Sequence, residues 1–307
     1  MGVKNSIVFM GTPAYAAKIL SSLIEENFNI LAVFTQSDKA VGRKQIISPS
    51  AVKLIALEHN LKVFTPSNLK DAEVIDTIKA LKPDFIVVAA YGKILPKEIL
   101  NICPCINLHT SLLPKYRGAS PIQSAILNAD KISGVCTMLM DEGLDSGGVL
   151  ESIELEIKDK RADEVFDMFS LKASSLCIST LKNFAELSPK KQDESKATFC
   201  KKISKSDGLI NLDEARAVYQ KFLAFYPWPG IFLDTGLKFI DISLLDESSV
   251  NDKAKILEIR GEDVVLSCKK GTLLIHKLQE PGKKICTAKQ YLNGKRLKSG
   301  DYLYPKR

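Results

Sequence analysis

The sequence predicts an α/β protein: a mostly parallel sheet covered on both faces by helices, followed by a small β-barrel. Three observations carry this expectation. Through the first half of the chain, strand-length apolar runs alternate with helix-period segments, the pattern of βαβ units. Residues 84–90, apolar throughout from Phe85, form a strand of the kind that is buried on both faces of a parallel sheet. Beyond Gly230 the pattern changes to short alternating segments separated mostly by Gly-bearing turns, the spacing of a small barrel. At 307 residues the chain is longer than one core usually serves, about 250 residues, so two domains are expected.

In order, residues 6–10 read as an apolar strand, and Gly11-Thr12-Pro13 as a turn that sets Pro near the start of a helix reaching about residue 26. A strand over 29–34, a polar loop to residue 49, a helix over 50–59 and a short strand over 62–64 follow. Next come a helix over 71–81, the buried strand at 84–90, and a strand ending at His109 after the apolar run from Ile102 to Ile106. A helix over 121–129 precedes two strands, 134–140 and 148–155, which pair and close the sheet. A long amphipathic helix over 162–187 completes a first domain spanning 1–187. Residues 188–206 are expected to be a basic linker, opening with the polar, aperiodic Ser188-Pro189-Lys190-Lys191-Gln192-Asp193-Glu194-Ser195-Lys196. The second domain, 207–307, starts with a bridging helix over 212–225 and, past Pro227-Trp228-Pro229-Gly230, holds strands over 231–233, 238–244, 255–260, 263–268 and 272–279.

Composition removes several function classes. A chain 45% hydrophobic and 26% charged is that of a soluble globular protein. No apolar run approaches the ~20 residues needed to span a bilayer, and with a short polar lead running straight into the first strand no signal peptide is expected. A cytoplasmic location is therefore expected, with no membrane partner. The seven Cys are scattered, and Cys103 and Cys105 lack both C-x-x-C and zinc spacing, so reduced thiols and no metal are expected. The early turn has no G-x-G-x-x-G, which argues against a nicotinamide cofactor. Net charge is +7, unevenly spread: residues 264–307 hold eleven Lys and Arg against Glu280 and Asp301, and 188–206 hold six Lys against Asp193 and Glu194. The remainder is net acidic, and a contrast this steep favours a nucleic-acid partner.

The chemistry concentrates between Asn107 and Gly118, read together with Gly143-Leu144-Asp145. In a strand, residues i and i+2 face the same way, so the Asn107 amide and the His109 imidazole project together. Ser111-Leu112-Leu113-Pro114-Lys115-Tyr116-Arg117-Gly118 then forms a turn-rich exit loop, where open α/β sheets keep their chemistry. An amide donor, a titratable donor and the acid Asp145 together stabilise an oxyanion and move a proton, which suits acyl transfer without a protein nucleophile.

Val8-Phe9-Met10-Gly11-Thr12-Pro13, Ala89-Ala90-Tyr91-Gly92-Lys93-Ile94-Leu95-Pro96, the passage from Asn107 through Gln123, and Gly143-Leu144-Asp145-Ser146-Gly147 resemble the folate-dependent formyltransferases. A weaker similarity runs through Ala197-Thr198-Phe199 and Tyr226-Pro227-Trp228-Pro229-Gly230 into the tail, so the resemblance covers nearly the whole chain. It implies the Rossmann-like formyltransferase fold with an OB-like C-terminal barrel, and a reaction that moves the formyl group of 10-formyltetrahydrofolate, a co-substrate, onto an amine. By the same resemblance Asn107 and a protonated His109 bind the oxyanion, while Asp145 accepts the amine proton and holds His109 charged. The folate is expected against Ser111, Leu112, Leu113 and Pro114, with Tyr91, Gly92, Ile94 and Leu95 on one side and Met140, Asp141, Gly143 and Leu144 on another. Backbone conformation is the expected role of Gly118 and Gly143.

The acceptor implied by the tRNA-formylating branch is initiator methionyl-tRNA, handled by a monomer. Thr35-Gln36, Asp38, Gly42-Arg43 and Val52-Lys53 fit the branch's acceptor-stem loop, so Lys39, Arg43 and Lys44 are candidate tRNA contacts, Arg43 first because a guanidinium pairs bidentately with phosphate or base edges. Lys202 is the candidate in the linker. Ser37, Ala40 and Ala51 stand where the family usually has Pro, Lys44 where it has Gly, and Leu223 where it often has Arg. Thr110, Ser146 and Gly148 replace Ala, Thr and Asp near the site. Two rival readings, a formyltransferase for a small amine and a non-catalytic RNA-binding protein, leave respectively the basic tail and the intact triplet unexplained.

Overall fold

The computed structural model describes residues 5–41 and 45–304. They form two compact units. The first holds the described residues up to Ile122 together with Ile132–Glu156 and Val165–Lys201; the second holds Gln123–Lys131, Ile157–Glu164 and the described residues from Lys202 onward.

The chain begins β1 (Ser6–Gly11), α1 (Ala14–Glu25), β2 (Asn29–Phe34), the antiparallel pair β3 (Lys39–Val41) and β4 (Ile46–Ser48), α2 (Ala51–Glu58) and β5 (Val63–Phe64). It continues through α3 (Ala72–Leu81), β6 (Phe85–Ala89), the single turn α4 (Lys97–Leu100), β7 (Cys105–His109) and β8 (Arg117–Gly118). Then come α5 (Pro121–Leu127), β9 (Ile132–Leu139), β10 (Val149–Glu156), α6 (Ala162–Asn183) and β11 (Phe199–Cys200). Seven strands make one sheet in the order β10-β9-β7-β6-β1-β2-β5. The five from β7 to β5 are parallel, and β9 and β10 add antiparallel at one edge. Strand order reverses between β1 and β6, so the carboxyl ends of β1, β6 and β7 border the crevice where such sheets bind ligands.

Local sequence explains the frame. Every residue of β6 is buried, as its unbroken apolar run requires. In α1, Tyr15, Ile19 and Leu23 recur at i, i+4 and i+8 and are buried, and Pro13 stands at the N-cap. Ser50 caps α2, its hydroxyl accepting from the Lys53 N–H at 3.0 Å. On one face of the sheet Val8, Met10, Phe34, Ile78, Ile86 and Val88 pack as a core, with Phe64 stacked on Phe34 at 4.9 Å.

The segment expected to be a linker is docked over much of its length. Residues up to Lys201 belong to the first unit, β11 runs parallel to β8, and Lys190 bridges to Val149. Backbone pairing of this kind leaves no periodic apolar signature.

In the second unit α7 (Ala215–Phe225) precedes β12 (Ile231–Phe232), β13 (Lys238–Val250), β14 (Ile256–Arg260), β15 (Asp263–Ser267), β16 (Lys270–Gln279), β17 (Cys286–Thr287) and α8 (Ala288–Lys295). The strands pair antiparallel in the order β12-β13-β16-β15-β14, with β17 against β16. Phe239, Ile242, Val264, Leu266, Leu273 and Ile275 are buried in its core. β13 runs six residues past the expected end at 244, with repeated register shifts against β16 that bend it.

Candidate active site

β7 is buried throughout and brings Asn107 (9% exposed) and His109 (5% exposed) out at its carboxyl end, on one side of the strand as alternation requires. The loop after β9 brings Asp145 to meet them. Asn107 Nδ2 donates to Asp145 Oδ1 at 3.4 Å, and Asp145 Oδ2 lies 3.7 Å from His109 Nδ1. The three side chains singled out in the sequence therefore converge, although Asp145 is 38 residues from Asn107.

The far side of the imidazole is held as well. Its Nε2 is 2.9 Å from the Tyr116 carbonyl oxygen, which only accepts, so Nε2 carries a hydrogen. In neutral His109 the lone pair then sits on Nδ1 and faces the Asp145 carboxylate across a gap too long for a direct hydrogen bond. Burial pulls His109 below its ordinary pKa; the Asp145 charge and the Tyr116 carbonyl oppose this and lose. Desolvation therefore works against the charged His109 expected from the sequence, and the neighbouring carboxylate works for it.

Asp145 is itself tightly specified. Its φ is +49°, a left-handed conformation that non-glycine residues seldom adopt without support. The Gly118 N–H donates to Oδ2 at 2.8 Å. Gln192 Nε2 donates to the carbonyls of Asp145 and Gly147, both at 2.8 Å. Arg117 Nε donates to Gln192 Oε1 at 3.0 Å, and the two terminal nitrogens of Arg117 reach the Glu194 carboxylate at 2.9 and 2.7 Å. At Gly147 a Cβ would stand 1.8 Å from the Leu139 carbonyl oxygen, so no side chain fits there. Tyr116, Gln192 and the Gly118 N–H escape sequence reasoning. Two act through backbone atoms and the third sits in a polar stretch with no period; the one available signal was an uncharged Gln among charged neighbours.

The residues expected to meet folate fall into two groups. Tyr91 and Leu95 are buried in the core, and the Tyr91 carbonyl accepts from Thr12 Oγ and Gln36 Nε2 at 3.1 and 3.0 Å. Ser111 is fully buried, its hydroxyl donating to the Lys115 carbonyl at 2.5 Å and closing the exit loop. Leu112, Leu113, Pro114 and Met140 are half-buried, and Gly92, Asp141 and Gly143 are exposed. Ile94 is 87% exposed and Leu144 58% exposed, apolar area left uncovered. Asp141 Oδ1 shapes its own loop, accepting from the Gly143 N–H at 3.0 Å and the Ser146 hydroxyl at 2.8 Å.

Of the tRNA candidates, Arg43 and Lys44 lie outside the described residues. Lys39 is exposed and donates to Gln36 Oε1, while Lys53 pairs with Asp38 at 2.9 Å. Lys202 is exposed and belongs to the second unit. Among the described residues no group of three or more His, Cys, Asp or Glu side chains is placed to hold a metal ion, and no helix is long and apolar enough to cross a membrane.

Chemically, the site brings together an amide donor, an imidazole of fixed tautomer and a largely buried carboxylate. A family model described as formyl transferase matches residues 4–174, and another described as formyl transferase, C-terminal domain, matches 202–296. A methionyl-tRNA formyltransferase from Campylobacter lari is 65% identical over 302 residues, covering 98% of this chain and 100% of the relative. One from Campylobacter jejuni (strain RM1221) is 61% identical over 303 residues, covering 97% and 99%. Among solved structures, HypX from Aquifex aeolicus in complex with tetrahydrofolic acid matches with a TM-score of 0.67 at 16% identity, over 99% of this chain and 50% of that one. At that identity the fold is what is shared, and this chain spans half the length of HypX.

Proposed function

The chain belongs to the formyl transferase family, and on that premise we propose how its site divides the work. The reaction is transfer of the formyl group of 10-formyltetrahydrofolate to the free amine of methionyl-tRNA, giving N-formylmethionyl-tRNA for translation initiation. Attack of the amine on the formyl carbon makes a C–N bond and a tetrahedral oxyanion; collapse breaks the bond to N10, which takes up a proton.

Three tasks follow, and three groups match them. The second N–H of the Asn107 amide, the one not given to Asp145, donates to the oxyanion. Neutral His109, its tautomer fixed by Tyr116, presents Nδ1 to receive the amine proton and returns it to N10 as the bond breaks. Asp145 stabilises the imidazolium in between, the only stage at which His109 is charged. The observation that carries this reading is the convergence of Asn107, His109 and Asp145 beyond the end of β7.

The folate lies against the exposed apolar Ile94 and Leu144 and the half-buried Leu112, Leu113 and Pro114, with backbone groups at Gly92, Met140, Asp141 and Gly143 orienting its heterocycle. Residues 1–187 act as the catalytic domain and 207–307 as the tRNA-binding domain, with 188–206 between them. Support for the latter assignments comes from the positive charge of both segments. Lys39, Arg43, Lys44 and Lys202 contact the tRNA, the acceptor is the initiator species, and the enzyme works in the cytoplasm as a monomer. The test is transfer of labelled formyl from 10-formyltetrahydrofolate to charged initiator tRNA, charged elongator tRNA and small amines offered in parallel. Label on the initiator species is expected, and preferential label on a small amine would overturn the reading.

A further inference from the structure

We propose that Gln192 is a positioning residue for the transfer: its side-chain amide holds the Asp145 backbone in the left-handed turn that aims the carboxylate at Asn107 and His109. This rests on the reading of the site given above. Gln192 is 6% exposed, and its one Nε2 donates to two carbonyls of the loop, Asp145 and Gly147, at 2.8 Å each. Asp tolerates φ +49° better than most residues without preferring it, so the turn stays in place only while its surroundings specify it. Gln192 is specified in turn. Its Oε1 accepts from Arg117 Nε at 3.0 Å, and Arg117, 3% exposed, is fixed by Glu194 on the same docked segment, a strap over residues 188–201. Arg117 immediately precedes Gly118, whose N–H binds Asp145 Oδ2. The strap thus grips Asp145 twice, through its backbone carbonyl by way of Gln192 and through its carboxylate by way of Arg117 and Gly118. Parallel pairing of β11 with β8 closes the circuit.

The alternative is that Gln192 merely satisfies two buried carbonyls. Kinetics of the full-length enzyme separate the two roles. Gln192→Met keeps the length of the side chain and loses both donated hydrogen bonds. Positioning predicts a fall in kcat of about ten- to a hundredfold, the cost of a misplacement near 1 Å, with KM for 10-formyltetrahydrofolate and for methionyl-tRNA within about twofold. The acid limb of the pH profile should also move to lower pH, because a displaced Asp145 supports the His109 proton less. In an Asp145→Ala background the Gln192→Met effect should vanish, since it acts through that residue. Should Gln192→Met fail to fold, Glu194→Gln at the exposed end of the strap is expected to lower kcat about threefold in the same pattern. A kcat within twofold of wild type, a loss carried by KM, or an undiminished effect in the Asp145→Ala background would each overturn the proposal. An Asp145→Ala enzyme with near-normal turnover would instead defeat the underlying reading of the site.

Discussion

Replacing Asp145 by Asn removes one charge while keeping the side chain's size, and Asn tolerates the left-handed backbone found there. The amide oxygen still accepts from the Gly118 N–H, so the fold of the loop is expected to survive. What disappears is the carboxylate charge 3.7 Å from His109 Nδ1, together with the Oδ1 acceptor for Asn107, whose place the new amide nitrogen takes. Both side chains are largely buried, at 16% and 6% exposure, so solvent screens the pair little. At that separation and an effective dielectric near 20, the attraction between carboxylate and imidazolium is about 4–5 kcal/mol. Only part of this bears on the transition state, since in the proposed cycle the resting imidazole is neutral and the charge develops as the amine proton is taken. A loss of kcat of about 10²–10³ is expected, the range found when a single charge-stabilising group is removed. The assay is single-turnover transfer of labelled formyl to methionyl-tRNA with both substrates saturating, alongside thermal unfolding to show that the variant is folded. Turnover within tenfold of wild type in a folded Asp145→Asn protein would refute the reasoning.

Other expectations follow from the same geometry. Because burial lowers the folded-state pKa of His109, the unfolded chain binds more protons once pH falls below the ordinary histidine value of about 6.5, and stability should drop from there toward lower pH. The urea midpoint of wild type should therefore fall more between pH 7 and pH 5 than that of His109→Gln; parallel curves would contradict the sign. At Gly118, φ is +118° and a Cβ would lie 2.2 Å from the Cys200 carbonyl oxygen, so Gly118→Ala is expected to cost about 2–3 kcal/mol and to disturb Asp145 by displacing the backbone N–H that donates to it. An unchanged melting temperature with full activity would show that the strap yields freely. If Lys202 meets a phosphate, Lys202→Ala should reduce the slope of log affinity against log salt for tRNA by about 1; an unaltered slope would remove it from the interface.

Much of the first unit is legible in the sequence because its elements obey strong local rules. The all-apolar β6, the i, i+4 spacing of α1 and the Ser50 cap of α2 each leave a mark that a reader can find. The i, i+2 relation of Asn107 and His109 follows from strand geometry alone. Less visible were features held together by backbone pairing or by exposed residues. The β3–β4 pair lay hidden in a polar loop because Ile46 and Ile47 are both exposed, 61% and 72%, so no alternation between buried and solvent faces marks it. The strap carrying Gln192 reads as a linker because its anchors are an amide, a buried guanidinium and main-chain bonds. By contrast α8 was there to be found: Thr287 and Gln290 form a capping box at its start, a pattern readable from spacing. The direction of the His109 pKa could not be inferred from sequence, since burial and a neighbouring acid push it opposite ways and the depth that makes burial the larger influence leaves no mark in the sequence.

Transfer rates of Asn107→Ala, His109→Ala and Asp145→Ala, set beside that of the triple variant, test most directly whether the three side chains serve one reacting carbonyl. Groups that act as a unit give losses that do not multiply. Each single variant should fall by about 10²–10³, and the triple variant should be little slower than the slowest of them. Losses that multiply across the three positions, or a single variant that turns over like wild type, would contradict the shared site.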